Sequence, residues 1–287
     1  MTFQDKNMLA PPWMALPYVE RGSIHWRMGI GEAYMEKWGP WYRSLQPEEK
    51  ETYLQLFPEP LSWRGCITGL SRCETRHEGD LLVELWREDG IPNYSREQIC
   101  ANMEAGAEPE FLFFWGHRPA KDGKITKSCF SQWWMSDFWF QGLRYCCMEQ
   151  CMMAGKASLF KDAEAFDLIR ASTDPKEIKA LGRGVRSFNE KLWNEVKYPL
   201  VLTGNYNKFV QNDDLRNFLL STGNRILVEA SPYDKIWGIG LSADDPRAKD
   251  PRAWNGENLL GFALMEVRDE IRRVYANEKL CSNPLQE

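Results

Sequence analysis

Short apolar runs and helical periodicity alternate along this chain, and together they predict a helix-rich protein with few strands. Residues 110–115 form an apolar aromatic run, which predicts a buried strand that ends at Gly116. Residues 225–230 predict a second short strand. Over residues 257–277, apolar side chains recur with the spacing of one helix face. The pattern predicts a predominantly α-helical α+β fold.

Helix-start signals locate further helices. Gln46-Pro47 is followed by two glutamates, and acidic side chains are favourable beside the positive end of a helix. Asp174 precedes Pro175, a pairing of capping residue and first-turn proline that predicts a helix ending at Gly182. Helices are also predicted for residues 144–157, 184–196 and 213–223.

A change in composition near residues 105–110 divides the chain. Before it, Trp, Tyr and Pro are frequent, which predicts a helix-rich N-terminal extension over residues 1–108. Residues 109–276 are predicted to form a single catalytic domain, and residues 277–287 a C-terminal tail. No internal repeat interrupts this organisation.

Composition and charge narrow the possible functions. The net charge of −5 argues against a general nucleic-acid binder, although residues 111–225 carry a net charge of +5 that suits an anionic ligand. An export signal and a long apolar run are both missing from the sequence, so we expect an intracellular protein, cytoplasmic or nuclear, without membrane contact. The 8 Cys and 3 His show no zinc-binding spacing, and we predict no metal site.

The predicted helix over residues 144–157 is the most informative segment. It is almost entirely apolar or small, yet it contains Glu149 and Lys156, seven residues apart. Seven residues are nearly two turns, so these side chains share a stripe with Tyr145 and Met152. Burying a charge is costly unless it is paired or serves a ligand. The sequence therefore allows either a structural ion pair or a functional site.

Three other segments contain polar groups in patterns that suit a ligand. After the second strand, a carboxylate, an aromatic ring and two glycines follow one another within residues 229–240, where glycine permits close backbone approach and Trp can stack on a base. Residues 129–133 offer hydroxyl, amide and indole donors. Arg183, between two glycines, could bind phosphate. Ordinary loops with core aromatics would give the same patterns.

These segments, in this order, resemble the NADAR (NAD and ADP-ribose) or YbiA-like family over about residues 110–272. The motifs that carry the resemblance are Phe113-Phe114-Trp115-Gly116, Cys129-Phe130-Ser131-Gln132-Trp133, Glu149-Gln150 with Lys156-Ala157, Leu181-Gly182-Arg183, Lys208-Phe209-Val210-Gln211-Asn212, Leu219-Leu220-Ser221-Thr222-Gly223, residues 227–240, Trp254-Asn255-Gly256 and residues 258–268.

The resemblance implies an enzyme that hydrolyses an N-glycosidic bond to a ribose phosphate, without a cofactor. It implies Glu149 as the carboxylate that steadies the ribose or activates water, and Lys156 as a proton donor or as a Schiff-base nucleophile. Asp234 is a secondary catalytic candidate. One departure from some relatives is Ile239, which stands where they have Asp. The predicted ligand-binding residues are Trp115, Gly116, Ser131, Gln132, Trp133, Arg183, Lys208, Glu229, Trp237, Gly238 and Gly240.

Two substrates compete within this reaction class. The basic middle segment and the large extension favour an ADP-ribosylated guanine, as a nucleoside or within nucleic acid, with release of ADP-ribose. The alternative is an intermediate of riboflavin biosynthesis, with release of ribose 5-phosphate. A module that binds ADP-ribose or NAD without catalysis is a third hypothesis, and a structural protein with Trp-rich interfaces is a fourth.

Overall fold

The computed structural model describes residues 7–67, 75–78, 81–84 and 92–285, with the two short middle ranges described by their backbone alone. Helices dominate these residues, which confirms the predicted helix-rich α+β class. The helices are α1 (Pro12–Ala15), α2 (Ile30–Ser44), α3 (Pro47–Leu56), α4 (Arg96–Glu104), α5 (Met148–Leu159), α6 (Ala163–Ala171), α7 (Pro175–Arg183), α8 (Glu190–Val210), α9 (Asp213–Ser221) and α10 (Leu259–Val274). The strands are β1 (Met8–Leu9), β2 (Thr75–Glu78), β3 (Leu81–Glu84), β4 (Phe111–Phe114), β5 (Phe138–Phe140), β6 (Leu143–Tyr145), β7 (Ile226–Glu229) and β8 (Cys281–Ser282).

The pair formed by β4 and β7 packs into the larger hydrophobic core through Phe114, Leu227 and Val228, while the rest of β4 is only half-buried. The two strands are parallel, with Phe111 opposite Ile226 and Phe114 opposite Glu229. Parallel strands bring their carboxyl ends to one edge, so the segments that follow both strands emerge together. Helix α10 packs directly on β7, because Gly261 has no Cβ to collide with the Leu227 carbonyl.

Helix α5 is buried on nearly all sides, among α6, α7 and α8. Two glycines on the neighbouring helices allow this close packing. A Cβ at Gly182 of α7 would lie 2.0 Å from the Met153 sulfur, and one at Gly204 of α8 would lie 2.5 Å from the Met148 methyl group. The tight fit fixes the position of α5 relative to α7.

Three predicted boundaries are wrong in detail. Residues 143–145 form β6, which pairs with β5, so α5 begins only at Met148 and Tyr145 does not share a helical stripe with Glu149. Helix α7 passes through Gly182 and ends at Arg183. Helix α8 starts after the Asn189 cap and continues through Pro199, whereas helix was predicted for residues 184–196.

The N-terminal extension has a hydrophobic cluster of its own, centred on Tyr34, Tyr53 and Phe57. The C-terminal tail belongs to the same cluster, since β1 pairs in parallel with β8 and Cys281 packs there. Residues 1–6, 68–74, 79–80 and 85–91 of the predicted extension and residues 286–287 of the predicted tail lie outside the described residues, and the boundary at residue 108 stays a prediction. Within the described ranges, no helix combines the length and apolar character required to cross a bilayer.

Candidate active site

A cleft of about 1180 Å³ opens where the carboxyl ends of β4 and β7 meet α5 and α7. The loop that follows β7 closes one side, and residues 128–133 close another. Most predicted site residues line this cleft, although the sequence scatters them over more than 120 positions. They are Trp115, Gly116, Ser131, Gln132, Trp133, Glu149, Lys156, Arg183, Glu229, Asp234 and Trp237.

Glu149 lies in the first turn of α5 and is 2 % exposed. Burial raises the pKa of its carboxyl to about 7, and the negative charge of Asp234 adds to the shift. Lys179 and the Trp133 indole oppose the rise, because both stabilise the carboxylate form. Its Oε1 atom is buried without a hydrogen-bond partner in the described structure. A carboxyl group of this kind exchanges its proton near neutral pH, as acid–base chemistry requires.

Glu229 at the end of β7 brings a second carboxyl group into the same cleft, and although the residue is half-buried, its Oε2 atom is buried. Burial raises its pKa to about 8, and the negative charges of Asp234 and Glu149 contribute. Its Oε2 atom also has no partner among the described residues. Two carboxyl groups that repel one another ionise in separate steps, so near pH 7 the pair retains a proton.

Positive side chains surround the mouth of the cleft. Arg118, Lys179, Arg183 and Lys235 all line it, and within the described ranges none of them forms an ion pair. Lys179 lowers the pKa of both glutamates and lies 5.7 Å from the centre of the Trp133 ring. This arrangement suits a ligand with several negative charges.

Lys156 reaches the cleft from the last turn of α5. Its Nζ donates to the Gly182 carbonyl oxygen at 2.8 Å and lies 4.3 Å from the centre of the Phe188 ring. Burial lowers its pKa, which favours the neutral amine required of a nucleophile. Lys156 and Glu149 form no ion pair with each other in the described structure, so the structural ion pair that the sequence allowed is not formed.

The loop after β7 is held by the Asp234 side chain. Its Oδ1 accepts hydrogen bonds from the Ile236 and Trp237 amides, at 2.9 and 2.8 Å. Gly238 and Gly240, which were predicted to bind ligand, do not line the cleft. A Cβ at Gly238 would lie 2.8 Å from the Glu229 carbonyl oxygen, and Gly240 has a φ of +66°, so both glycines shape the loop.

Lys208 was predicted to contact phosphate, and the structure corrects this prediction. Its side chain is completely buried and does not line the cleft. Its ammonium group donates to the carbonyl oxygens of Cys129 at 2.7 Å and Ser131 at 3.2 Å. The lysine therefore supports the loop that carries Ser131, Gln132 and Trp133 from behind.

The structure also adds residues that sequence reasoning did not identify. Lys179, Trp193 and His117 also line the cleft. In the sequence, Lys179 resembles a solvent-exposed helix residue, and Trp193 and His117 lie outside the motifs that carry the family resemblance. Spacing offers a weak signal for Lys179, which lies four residues before Arg183 and so on the same face of α7. His117 packs against Trp133, with 5.3 Å between ring centres. Within the described ranges, no three His, Cys, Asp or Glu side chains come together as a metal site.

Comparison with known proteins identifies the family. Residues 113–272 match the NADAR domain. This chain belongs to the NADAR domain family. N-glycosidase R617 of Acanthamoeba polyphaga mimivirus is 43% identical over 166 residues, which cover 56% of this chain and 96% of that protein. N-glycosidase Npun_R5314 of Nostoc punctiforme is 34% identical, over 51% of this chain and 86% of the relative.

More distant similarity extends to a plant protein and a solved structure. The chloroplastic riboflavin biosynthesis protein PYRR of Arabidopsis thaliana is 32% identical over 38% of this chain and 17% of its own length. The NMR structure of E. coli YbiA aligns with a TM-score of 0.47 and 26% identity, over 61% of this chain and 89% of that one. The relatives named N-glycosidase confirm the predicted reaction class, a hydrolase of N-glycosyl bonds.

Proposed function

We propose that this NADAR protein hydrolyses the N-glycosidic bond of an ADP-ribosylated guanine and releases ADP-ribose. The observation that carries the proposal is the size and lining of the cleft. Its volume of about 1180 Å³ exceeds what a ribose phosphate and one small base fragment need. Aromatic side chains line it, together with positive side chains that form no ion pair within the part of the chain that the structure describes.

The inner part of the cleft has the groups that N-glycoside cleavage requires. Positive charge develops on the ribose ring as its bond to the base nitrogen breaks, and the electron pair goes to the leaving base. The Glu149 carboxylate is suited to stabilise that charge or to take a proton from the attacking water. Lys156 can protonate the leaving base, or its amine can attack the sugar carbon and form a Schiff base with the opened ring.

The outer part of the cleft suits the remainder of an ADP-ribosyl group. Trp115 is 56% exposed and Tyr233 87% exposed, and their ring centres lie 6.2 Å apart at the mouth. Large exposed aromatic rings are available for stacking on a purine. Arg183 and Lys179 lie in the same cleft, where a diphosphate would join the two halves of the ligand. A riboflavin intermediate has no second base or diphosphate to occupy these groups.

A product assay with two substrates tests the proposal. The protein would be given ADP-ribosylated guanosine and, separately, a riboflavin-pathway intermediate, and products would be separated by chromatography. We expect free ADP-ribose from the first substrate. Trp115→Ala should raise KM for it about tenfold through lost stacking, whereas Trp139→Ala, also exposed but outside the cleft, should leave KM unchanged.

Other outcomes would contradict the proposal in distinguishable ways. Release of ribose 5-phosphate from the riboflavin intermediate alone would assign the protein to that pathway, as the similarity to PYRR suggests. Binding of ADP-ribose without turnover of either substrate would indicate a non-catalytic module.

A further inference from the structure

Lys208 is an unusual residue to find behind an active site. Its side chain has no exposed surface, and its ammonium group has no ion-pair partner within the described ranges. Burial lowers its pKa to about 8, against an opposing effect of the Cys129 and Cys147 thiols. Burying a lone charge is unfavourable, so a hydrophobic side chain would be the expected occupant unless the ammonium had a specific task.

The atoms around Nζ indicate that task. The two carbonyl groups that accept its hydrogen bonds, those of Cys129 and Ser131, flank residue 130, where a 3-10 turn over Lys127–Phe130 continues into the loop that carries Gln132 and Trp133. A buried backbone carbonyl group needs a hydrogen-bond donor, and Lys208 supplies one to Cys129 and a second one to Ser131, whose oxygen also accepts from the Trp134 amide at 3.2 Å. The ammonium therefore fixes the backbone of this loop to α8.

The same loop connects directly to the carboxyl group of the candidate active site. The Gln132 carbonyl oxygen accepts a hydrogen bond from the Glu149 amide at 2.8 Å. The Trp133 indole, a donor to the Glu149 carboxylate, lowers the pKa of that group. The path from Lys208 to Glu149 thus consists of two carbonyl contacts and one short loop.

We propose that Lys208 is a positioning residue for the N-glycosidase reaction, holding the loop of residues 129–133 so that Gln132 and Trp133 set the geometry of Glu149. Lys208 touches neither substrate nor reacting atoms, and it acts through the loop. The kinetic part of this inference rests on the proposed function, whereas the effect on the loop can be measured without any substrate.

The chain offers a matched control on the same helix. Lys197 is also buried, at 9% exposure, but its Nζ donates to Asn194 at 2.8 Å and it does not line the cleft. Lys208→Met keeps the length of the side chain and removes its donors. Lys208→Gln keeps an N–H donor without the charge, and it provides the comparison if the methionine variant does not fold.

Amide exchange and kinetics on the full-length variants test the inference. In Lys208→Met we expect amides of residues 128–134 to exchange at least about tenfold faster, because the loop has lost its anchor. We expect kcat for ADP-ribosylated guanosine to fall about 10- to 100-fold, since small displacements of catalytic groups are costly, with KM changed less than about threefold. Lys208→Gln should lie between this variant and the wild type, and Lys197→Met should match the wild type.

Two results would overturn the inference. Wild-type exchange in residues 128–134 of a folded Lys208→Met protein would show that the lysine does not hold the loop. A fall in kcat that matches only a smaller folded fraction, seen equally in Lys197→Met, would make Lys208 a core residue and no more. If the wild type turned over neither substrate, the proposed function would fail, and the loop exchange together with ADP-ribose affinity would decide the positioning role.

Discussion

Two pairs of glutamates with buried or half-buried side chains differ sharply in the hydrogen bonds that their carboxyl oxygens accept. Glu149 and Glu229 lie in the cleft, and each has an oxygen atom without a hydrogen-bond partner in the described structure. Glu266 and Glu270 lie on α10, where the N-terminal extension packs against the domain. Glu149 and Glu266 are each 2% exposed, so burial itself does not distinguish the two sets.

The carboxyl groups of α10 are fully engaged. Glu266 accepts hydrogen bonds from the Asn93 amide and, at 2.7 Å, from the Asn93 side chain. Glu270 accepts from the Leu61 amide at 3.0 Å and from the Arg273 guanidinium at 2.8 Å. These contacts attach segments of the extension to the domain.

The comparison teaches that unsatisfied carboxyl oxygens, rather than buried carboxyl groups as such, mark the site. Oxygen atoms with donors nearby are already stabilised as part of the fold. Oxygen atoms left without donors in a cleft are available to a sugar, a water molecule or a proton. Substituting one glutamate from each set gives three predictions, in decreasing order of expected effect.

The largest effect is expected on catalysis. Glu149→Gln should lower kcat about 10²- to 10⁴-fold, because the amide can neither carry the negative charge nor accept a proton. Glu266→Gln should retain kcat within about threefold per folded molecule. Steady-state kinetics on both variants, normalised to the folded fraction, would check this. Equal losses in the two variants would remove the distinction between the sets.

The next effect concerns stability. Glu266→Ala removes the charged acceptor of two hydrogen bonds from Asn93, so we expect the free energy of unfolding to fall by about 2 kcal/mol. Denaturant titration monitored by tryptophan fluorescence provides the measurement. An unchanged midpoint would mean that Asn93 finds water once the carboxylate is gone.

The smallest effect links the cleft to pH. The Glu149 pKa of about 7 exceeds the usual value near 4.5, so the folded state retains a proton that the unfolded state releases. The resulting stabilisation is complete below pH 4.5 and is lost as the pH rises through 7. Gln resembles the protonated group at every pH, so Glu149→Gln should be more stable than the wild type by of order 1 kcal/mol at pH 8.

Thermal unfolding of wild type and Glu149→Gln at pH 5 and pH 8 would test that sign. We expect nearly equal midpoints at pH 5 and a higher midpoint for the variant at pH 8. A variant that is less stable at pH 8 would indicate that the Glu149 carboxylate has a stabilising partner in the folded protein.

Sequence reasoning predicted the elements with strong local signals and most of the cleft. The apolar runs at β4 and β7 and the caps of α3 and α7 specify their own structure, and the ordered motifs located Glu149, Lys156 and Trp237. Apart from Arg144, residues 143–147 carry apolar or small side chains like those of α5, so periodicity could not separate a strand from the helix that follows. The pairing of Tyr145 with Phe138 makes these residues a strand, and that pairing depends on the fold of the β5–β6 hairpin, which local periodicity does not show.

The misassigned lysines have a physical explanation. Lys208 lies outside every helix predicted from the sequence and was interpreted as a free charge for phosphate, and only the folded chain shows two carbonyl groups accepting hydrogen bonds from it. Lys179 reads as a solvated helix residue, and its effect on two carboxyl groups depends on how α7 packs. Charge–charge relations between separate elements are not encoded in local spacing.

The parallel pairing of β1 with β8 has a consequence for synthesis of the protein. The β1–β8 ladder pairs Met8 with Cys281, which lies about 270 residues later in the chain, so the ladder can form only after Cys281 has been synthesised. While the ribosome is still translating the intervening domain, Leu9 and Ala10 remain without the partners they finally bond. The order of translation thus makes strand β1 one of the last elements of this protein to gain its backbone partner.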